Sequence, residues 1–357
     1  MRRLPPASMP PGKAPGRRHA STPPRSLRRR RLCWIAATAL LLPCILAATG
    51  SPANRAPQHL ARFPMRISAY VANSGSVTLS AYDTRLERRV GAVQVGHGPT
   101  GVGAAPDGDE VYVANSRSDT VSFVHTGSRL VTATVGVQHR PFAAMPSRDG
   151  HRVLVANFGS DTVSVISVPG HHVIATAPVG RLPHSIATVP DGRAYVTDNG
   201  DGEVTVLGPD SHPIRDIPVG DFPSGISASP SGHRVYVSNT GSGTISVIDT
   251  HSNTVVATLP GGRAPLGNAV SRDGRRLYVA DSARDCLLIV DIAARDIVGH
   301  VHVGVEPQGV AVTPDGRRVW VTNEKSDTVS VIDPFARQVR FTLPTGHEPE
   351  GIAITPR

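Results

Sequence analysis

From Met65 to the C-terminus, apolar and polar residues alternate in short runs, each closed by Gly, Pro, Asn, Asp or Ser. Thr328-Val-Ser-Val-Ile-Asp333 is typical, and the paired columns Val77/Leu79, Val121/Phe123, Val163/Val165 and Val329/Val331 keep the same period of two. Side chains of a strand alternate between its faces, so this pattern predicts short strands rather than helices. The runs recur as a repeat. Tyr70-Val-Ala-Asn73 returns as Tyr112-Val-Ala-Asn115, Leu154-Val-Ala-Asn157, Tyr195-Val-Thr-Asp198, Tyr236-Val-Ser-Asn239, Tyr278-Val-Ala-Asp281 and Trp320-Val-Thr-Asn323, with successive copies 41 or 42 residues apart.

Each unit reads as four strands. The first follows a Pro, as in Gly309-Val-Ala-Val-Thr, and a Pro314-Asp315-Gly316 turn leads to the second, Val319-Trp-Val-Thr. The turn Asn323–Asp327 leads to the third strand, Thr328–Asp333, and the fourth, Gln338–Leu343, runs into Gly-x-x-Pro and the next unit. Asp-Gly and Asn-Ser pairs between apolar runs are hairpin signals, because those residues tolerate the positive φ of tight turns. The first unit lacks its leading strand, whereas the chain ends on Glu350-Gly-Ile-Ala-Ile-Thr355, a leading strand with no unit after it. That strand is expected to complete the first unit and close a ring, which leaves only short edges. The expected fold is all-β: a seven-bladed β-propeller of four antiparallel strands per blade over 65–357.

These repeat words make the chain resemble the YVTN-repeat β-propellers, which include surface-layer-type and periplasmic members. The resemblance covers about 290 residues. It implies the propeller fold, implies little about activity and brings no catalytic motif. A fold alone does not establish an activity. Propellers of the Trp-Asp type fit less well, since no Trp-Asp pair ends a strand.

Composition agrees with many turns and a thinly aromatic core: Gly 35, Pro 32 and aromatics 4%. The net charge of +9 suggests nucleic acid only until it is located. Residues 1–31 carry ten Lys and Arg and no acid, ending in Arg28-Arg29-Arg30-Arg31, while from Met65 onward 25 basic residues face 28 acids. The repeat region is therefore slightly acidic. An apolar run over 32–49 follows the basic segment, and a Pro/Ala/Gln linker occupies 50–64. A basic flank before such a run reads as an export signal, with a membrane anchor as the alternative, and places the body outside the cytoplasm. Contact with a membrane is expected only through this segment. Cys33 and Cys44 lie in it, which leaves Cys286 as a strand-filling side chain where other repeats have Thr.

Antiparallel strands put the fourth-to-first loops and the second-to-third turns on one face, here called the top. After the repeat Gly, or its equivalent, these loops place His97, His139, Arg181, Asp221, Arg263, Val305 and His347, with His184, Glu306, Glu348 and Glu350 nearby. Thirteen acids stand on this face against six cations, whereas the other face is balanced. The candidate ligand-binding set is His97, His139, Arg181, His184, Asp221, Arg263, Glu306, His347, Glu348 and Glu350. Imidazoles within a carboxylate rim favour a cation. The tightest candidate metal grouping is His97, His347 and Glu348, from loops that flank the closed first blade. A divalent metal is the only cofactor this chemistry suggests, and the grouping lacks a ligand-spaced motif. Histidine at three of seven exposed loops is equally the expectation for a solvated position.

Other features read as structural. The Asn or Asp ending each second strand is expected to cap its turn. Arg152, Arg193, Arg234, Arg275, Arg276, Arg317 and Arg318, after the Asp-Gly turns on the opposite face, could meet a polyanion but sit beside acids. Three functions follow. The first is an exported binding or scaffold propeller, taking a protein, peptide or small molecule at the channel mouth. The second is a metal-assisted hydrolase, lyase or isomerase at that mouth. The third is nucleic-acid binding on the Arg-rich face, which the charge of the body and its few aromatics disfavour. The catalytic residues are unassigned, and the propeller is expected to be a monomer.

Overall fold

The computed structural model describes residues 67–356; the basic segment, the apolar run expected to direct export and the linker all lie outside the described residues. Within them the alternating runs become twenty-eight strands in seven four-stranded antiparallel sheets. The second blade shows the plan: Pro99–Ala104, Glu110–Asn115, Thr120–His125 and Leu130–Gly136. In the seventh blade the last three strands run Val319–Asn323, Thr328–Asp333 and Gln338–Pro344, within a residue or two of the expected bounds.

The ring closes as the unpaired ends require. Pro349–Ile354 lies against Ser68–Asn73, with Ala69 opposite Ile354 and Val71 opposite Ile352. Beyond the last pair, the Thr355 N–H donates to the Ser68 carbonyl and the Ser68 N–H donates to the Thr355 hydroxyl, each at 2.9 Å. One blade thus holds both ends of the propeller, so no blade edge is left open at the seam.

The Pro-led strands of successive blades neighbour one another and line the axis. They approach closely. A Cβ on Gly351 would stand 2.3 Å from the Thr100 carbonyl oxygen of the next blade, so the packing demands glycine there. Each Pro-led strand of blades two to seven also breaks register just after its proline, as between Pro99 and Val102, and the closing strand does so too. Such bulges re-aim side chains at the rim of a sheet, and here they act at the channel mouth.

The core lies between blades. Tyr70 and Leu79 of the first blade pack with Val111, Val113 and Val124 of the second. At the seam, Ala69, Val71 and Tyr82 pack with Trp320, Val329 and Val331 of the seventh. Full burial of side chains of this size stabilises by about 1.5–3 kcal/mol each. Cys286 fills the core between the fifth and sixth blades, and burial pushes its thiol up to about 11.

The polar residue ending each second strand is structural, but not as a simple turn cap. Asn73, Asn115, Asn157, Asp198, Asn239, Asp281 and Asn323 are fully buried. The Asn115 amide donates to the Thr120 hydroxyl at 3.1 Å and the Ser122 hydroxyl at 3.0 Å, and its carbonyl accepts the Gly96 N–H at 3.1 Å. It joins two strands of its own blade to the loop that enters it.

Candidate functional site

The top face is built from a repeated backbone rung. The N–H groups of Ser116 and Arg117, in a second-to-third turn, donate to Gly98 and His97 in the loop entering the same blade, at 2.8 and 3.1 Å. Phe158 and Gly159 make the same bonds to Arg140 and His139 at 3.0 Å each, and Ser74 and Gly75 to Glu348 and His347. An aspartate at the end of each of several turns then reaches the next blade. Asp119 accepts the Arg140 N–H at 2.8 Å, Asp161 that of Leu182, Asp285 that of Glu306 and Asp327 that of Glu348. Asp201 instead accepts the Arg181 N–H and side chain.

These bonds change the meaning of the acidic rim. Backbone amides satisfy these turn aspartates, while Asp198 and Asp281 are buried beneath them. Much of the carboxylate excess read from the sequence is therefore stapling. The Arg140 amide, ahead of His139, holds Asp119 below the usual carboxylate range, and the Glu348 amide, ahead of His347, does so for Asp327.

The predicted site residues separate into two groups. His97, His139, Arg181, Asp221, Arg263 and His347 form an exposed outer ring. His139 Nδ1 pairs with Asp119 at 3.0 Å, Arg181 with Asp201 at 2.6 Å and His347 Nδ1 with Asp327 at 3.1 Å. The half-buried Glu306 and Glu348 follow in the same loops, with Glu348 3.5 Å from Lys325 Nζ. Among the described residues no three His, Cys, Asp or Glu side chains gather as a metal ligand set, so His97, His347 and Glu348 do not form one. The free nitrogens of that grouping are limited by the pairing of His347 with its aspartate.

Glu350 and His184 sit deeper, directly after the proline of their strands. That column reads, from the first blade round, Glu350, Thr100, Phe142, His184, Ser224, Leu266 and Gln308. Beside Glu350 opens a cavity of about 560 Å³, lined also by Ser74, Thr100, Arg117, Asp119, His139, Arg140, Phe142 and Phe158. Glu350 Oε2 is buried without a hydrogen-bond partner. Burial pushes this carboxyl up to about 7, with Glu324 and Glu348 adding to the rise and Ser74 and Arg117 opposing it. His184 Nδ1 lies 3.0 Å from the Ser185 hydroxyl, and its ring packs on Phe142 with centroids 4.0 Å apart. Burial pushes His184 down to about 4, which keeps the imidazole neutral.

The arrangement can therefore bind a compact solute between a poised carboxyl, two guanidinium groups and an aromatic wall. Arg117, Arg140, Phe142 and Phe158 were not among the predicted residues. A signal for Phe158 was present in the repeats: the residue after the buried second-strand polar position is Ser74, Ser116, Phe158, Asn199, Thr240, Ser282 and Glu324. Phe158 is the one aromatic in that column.

On the opposite face, arginines are engaged. Arg193 pairs with Asp191 at 2.5 Å, Arg318 with Glu87 at 2.7 Å, and Arg234 with Asp249. Arg152 donates to the Pro209 carbonyl at 2.6 Å. These contacts agree with local neutralisation rather than a free cationic stripe.

Comparison with known proteins adds to this geometry. None of the curated proteins matches the sequence. Among solved structures, a functionally unknown protein from Desulfotomaculum acetoxidans superposes with a TM-score of 0.73 at 16% identity, covering 81% of this chain and 98% of that one. A putative 6-phosphogluconolactonase from Bacteroides fragilis gives 0.70 at 15%, covering 82% and 98%. Hydrazine synthase of Kuenenia stuttgartiensis gives 0.67 at 22%, covering 72% and 90%. At these identities the likeness is one of fold. The family described as "Lactonase, 7-bladed beta-propeller" matches residues 76–340, and with the closed seven-bladed ring this shows that the chain belongs to that family.

Proposed function

We propose that the protein hydrolyses a cyclic ester at the channel-mouth cavity, with Glu350 as general base. The observation that carries this reading is the Glu350 carboxyl itself: it borders the cavity, one oxygen is buried and unpartnered, and its proton affinity is raised to about 7. A base titrating near working pH combines a useful fraction of carboxylate with a strong pull on the proton. Lactone chemistry is what the family description names, and the B. fragilis structure carries a lactonase title.

The chemistry balances without further parts. Glu350 takes a proton from a water whose oxygen adds to the lactone carbonyl. The Arg117 guanidinium, which also lines the cavity, faces the negative charge that develops on the carbonyl oxygen. Collapse of the adduct breaks the ring C–O bond, and the proton held by Glu350 passes to the departing ring oxygen. The product is a hydroxy acid. His139, oriented by Asp119, stands at the same cavity as a second proton carrier.

A binding or scaffold role on this face is the alternative, and Phe222, exposed in the loop entering the fifth blade, favours it. In either case we propose export, on the basic flank and apolar run ahead of the repeats. The test is acid release by the full-length protein from a panel of five- and six-membered lactones. Turnover that falls about a hundredfold or more in Glu350→Gln, a loss of the size expected for a general base, supports hydrolysis. Lactone binding without acid release would leave the binding module as the function.

A further inference from the structure

Seven repeats of one unit supply an internal control on which residues the fold itself needs. In the column after the proline, the positions are filled by Glu350, Thr100, Phe142, His184, Ser224, Leu266 and Gln308; in the column after the buried polar residue, blades one and two have serine. Only the third blade places phenylalanine in both columns, as Phe142 and Phe158. Blades two and five fill both columns with small hydroxyl side chains, Thr100 with Ser116 and Ser224 with Thr240, so the blade architecture does not require this pair.

The two rings are half-buried, and both line the cavity that holds Glu350. Their centroids stand 6.0 Å apart with planes inclined by 39°, which makes a shallow wedge. Neighbouring side chains hold both rings. His184 backs Phe142 at 4.0 Å, and the Arg140 guanidinium covers one face of Phe158 at 5.1 Å from its centroid. Among the described residues, neither Arg140 nor Arg117 has a carboxylate within ion-pair distance. Aromatic side chains exposed in a cavity and held in place by their neighbours offer flat faces, and such faces favour offset or edge contact with another flat ring.

We infer that the ester taken at this site carries an aromatic or unsaturated flat substituent, which lies against Phe142 and Phe158 while its carbonyl meets Glu350 and Arg117. This rests on the cyclic-ester reading and adds the substrate class to it.

The probes are three lactones of one ring size bearing a methyl, a cyclohexyl or a phenyl substituent, assayed with the full-length protein for kcat/KM and, separately, for binding by calorimetry. The expected order places phenyl about five- to tenfold above methyl and clearly above cyclohexyl, the size of effect ring contacts provide. Phe158→Ser, which installs the residue of the first two blades, should collapse the phenyl-to-methyl ratio toward one. Phe158→Leu keeps apolar bulk, guards against loss of fold, and should erase the preference for phenyl over cyclohexyl. Equal turnover of the three probes by the unaltered protein, or a ratio unmoved by both substitutions, overturns the inference while cyclic-ester hydrolysis stands. If no probe is turned over, hydrolysis fails instead, and the binding order decides the inference by the same two comparisons.

Discussion

Trp320 of the seventh blade and Tyr82 of the first meet edge to face across the seam of the ring, with centroids 5.6 Å apart and planes at 63°. Both side chains are fully buried, and the Tyr82 hydroxyl donates to the Pro344 carbonyl at 2.9 Å. Trp320 takes the place of the tyrosine or leucine that opens the repeat word in the other blades. Its Nε1 is buried without a partner, so the indole contributes volume and ring contact rather than a hydrogen bond. Trp320→Ala is expected to cost about 3–5 kcal/mol, as for large aromatic truncations in cores. Trp320→Phe, which also removes the unsatisfied N–H, should cost much less. Denaturant unfolding of the two variants checks this; equal losses would mean that the N–H has a role the structure lacks.

A second prediction concerns the glycine that opens each Gly-x-x-Pro loop. A Cβ on Gly346 would lie 2.5 Å from Cγ of the buried Asn73, whose carbonyl accepts the Gly346 N–H at 3.1 Å. Gly136, on an outer strand, has nothing within 4 Å of the same point. Gly346→Ala should therefore destabilise by about 1–3 kcal/mol, the usual cost of overpacking, and Gly136→Ala should not. Melting curves of the pair provide the comparison, and a similar loss in both would refute the role given to the Asn.

The contrast between these glycines also explains what was legible in the sequence. The words around Tyr70, Tyr112 and Tyr278 recur because every blade packs the same way, so the fold, the blade bounds and the closing strand Pro349–Ile354 could be read from periodicity and turn residues. The proposed site breaks the repeat, so periodicity points to it only in part. The sequence places Glu350 and His184 among the candidates, but groups His97 with His347 only because their loops flank one blade. Loop position does not determine where an imidazole is held: Asp327 pairs with His347, and Asp119 pairs with His139 at the edge of the cavity. Phe158 and Arg117, which the proposed site adds, belong to no motif and stand out only in the columns where they differ from other blades.

Asp198 gives a pH test within the scaffold. It fills a position held by asparagine in five other blades, and burial pushes its carboxyl from 3.8 up to about 7. Its Oδ2 and the Asp216 Oδ1 both lie within reach of the Thr205 hydroxyl, at 2.7 and 3.0 Å, and one hydroxyl proton can serve only one of them. A carboxyl whose proton affinity is higher in the fold than in the unfolded chain disfavours folding as it ionises. Stability from this group is therefore intact below about pH 4, declines as pH rises toward 7, and changes no further above that. Asp198→Asn should remove the decline, matching the parent protein at low pH and exceeding it by a few kcal/mol above pH 7, the order that an approximately thousandfold change in proton affinity carries. Unfolding measured at pH 4 and pH 8 tests this, and an equal offset at both would show that Asp198 keeps its charge when folded.

Glu350 offers the corresponding test in catalysis. The proposed hydrolysis needs its carboxylate, so kcat/KM is expected to rise with pH through a single ionisation near 7. Neighbouring charges set that midpoint in opposite directions: Arg117 lowers the Glu350 proton affinity, and Glu324 raises it. Arg117→Gln should move the midpoint to higher pH as well as lower the rate, because the same guanidinium faces the developing oxyanion. Glu324→Gln should move the midpoint to lower pH. Glu350→Gln should leave a flat residual rate. A purely structural disturbance at these positions would change the height of the profile without moving its midpoint in two directions. If both neighbours shift the midpoint the same way, or neither shifts it, the titrating base is another group, and His139 with Asp119 becomes the pair to alter next.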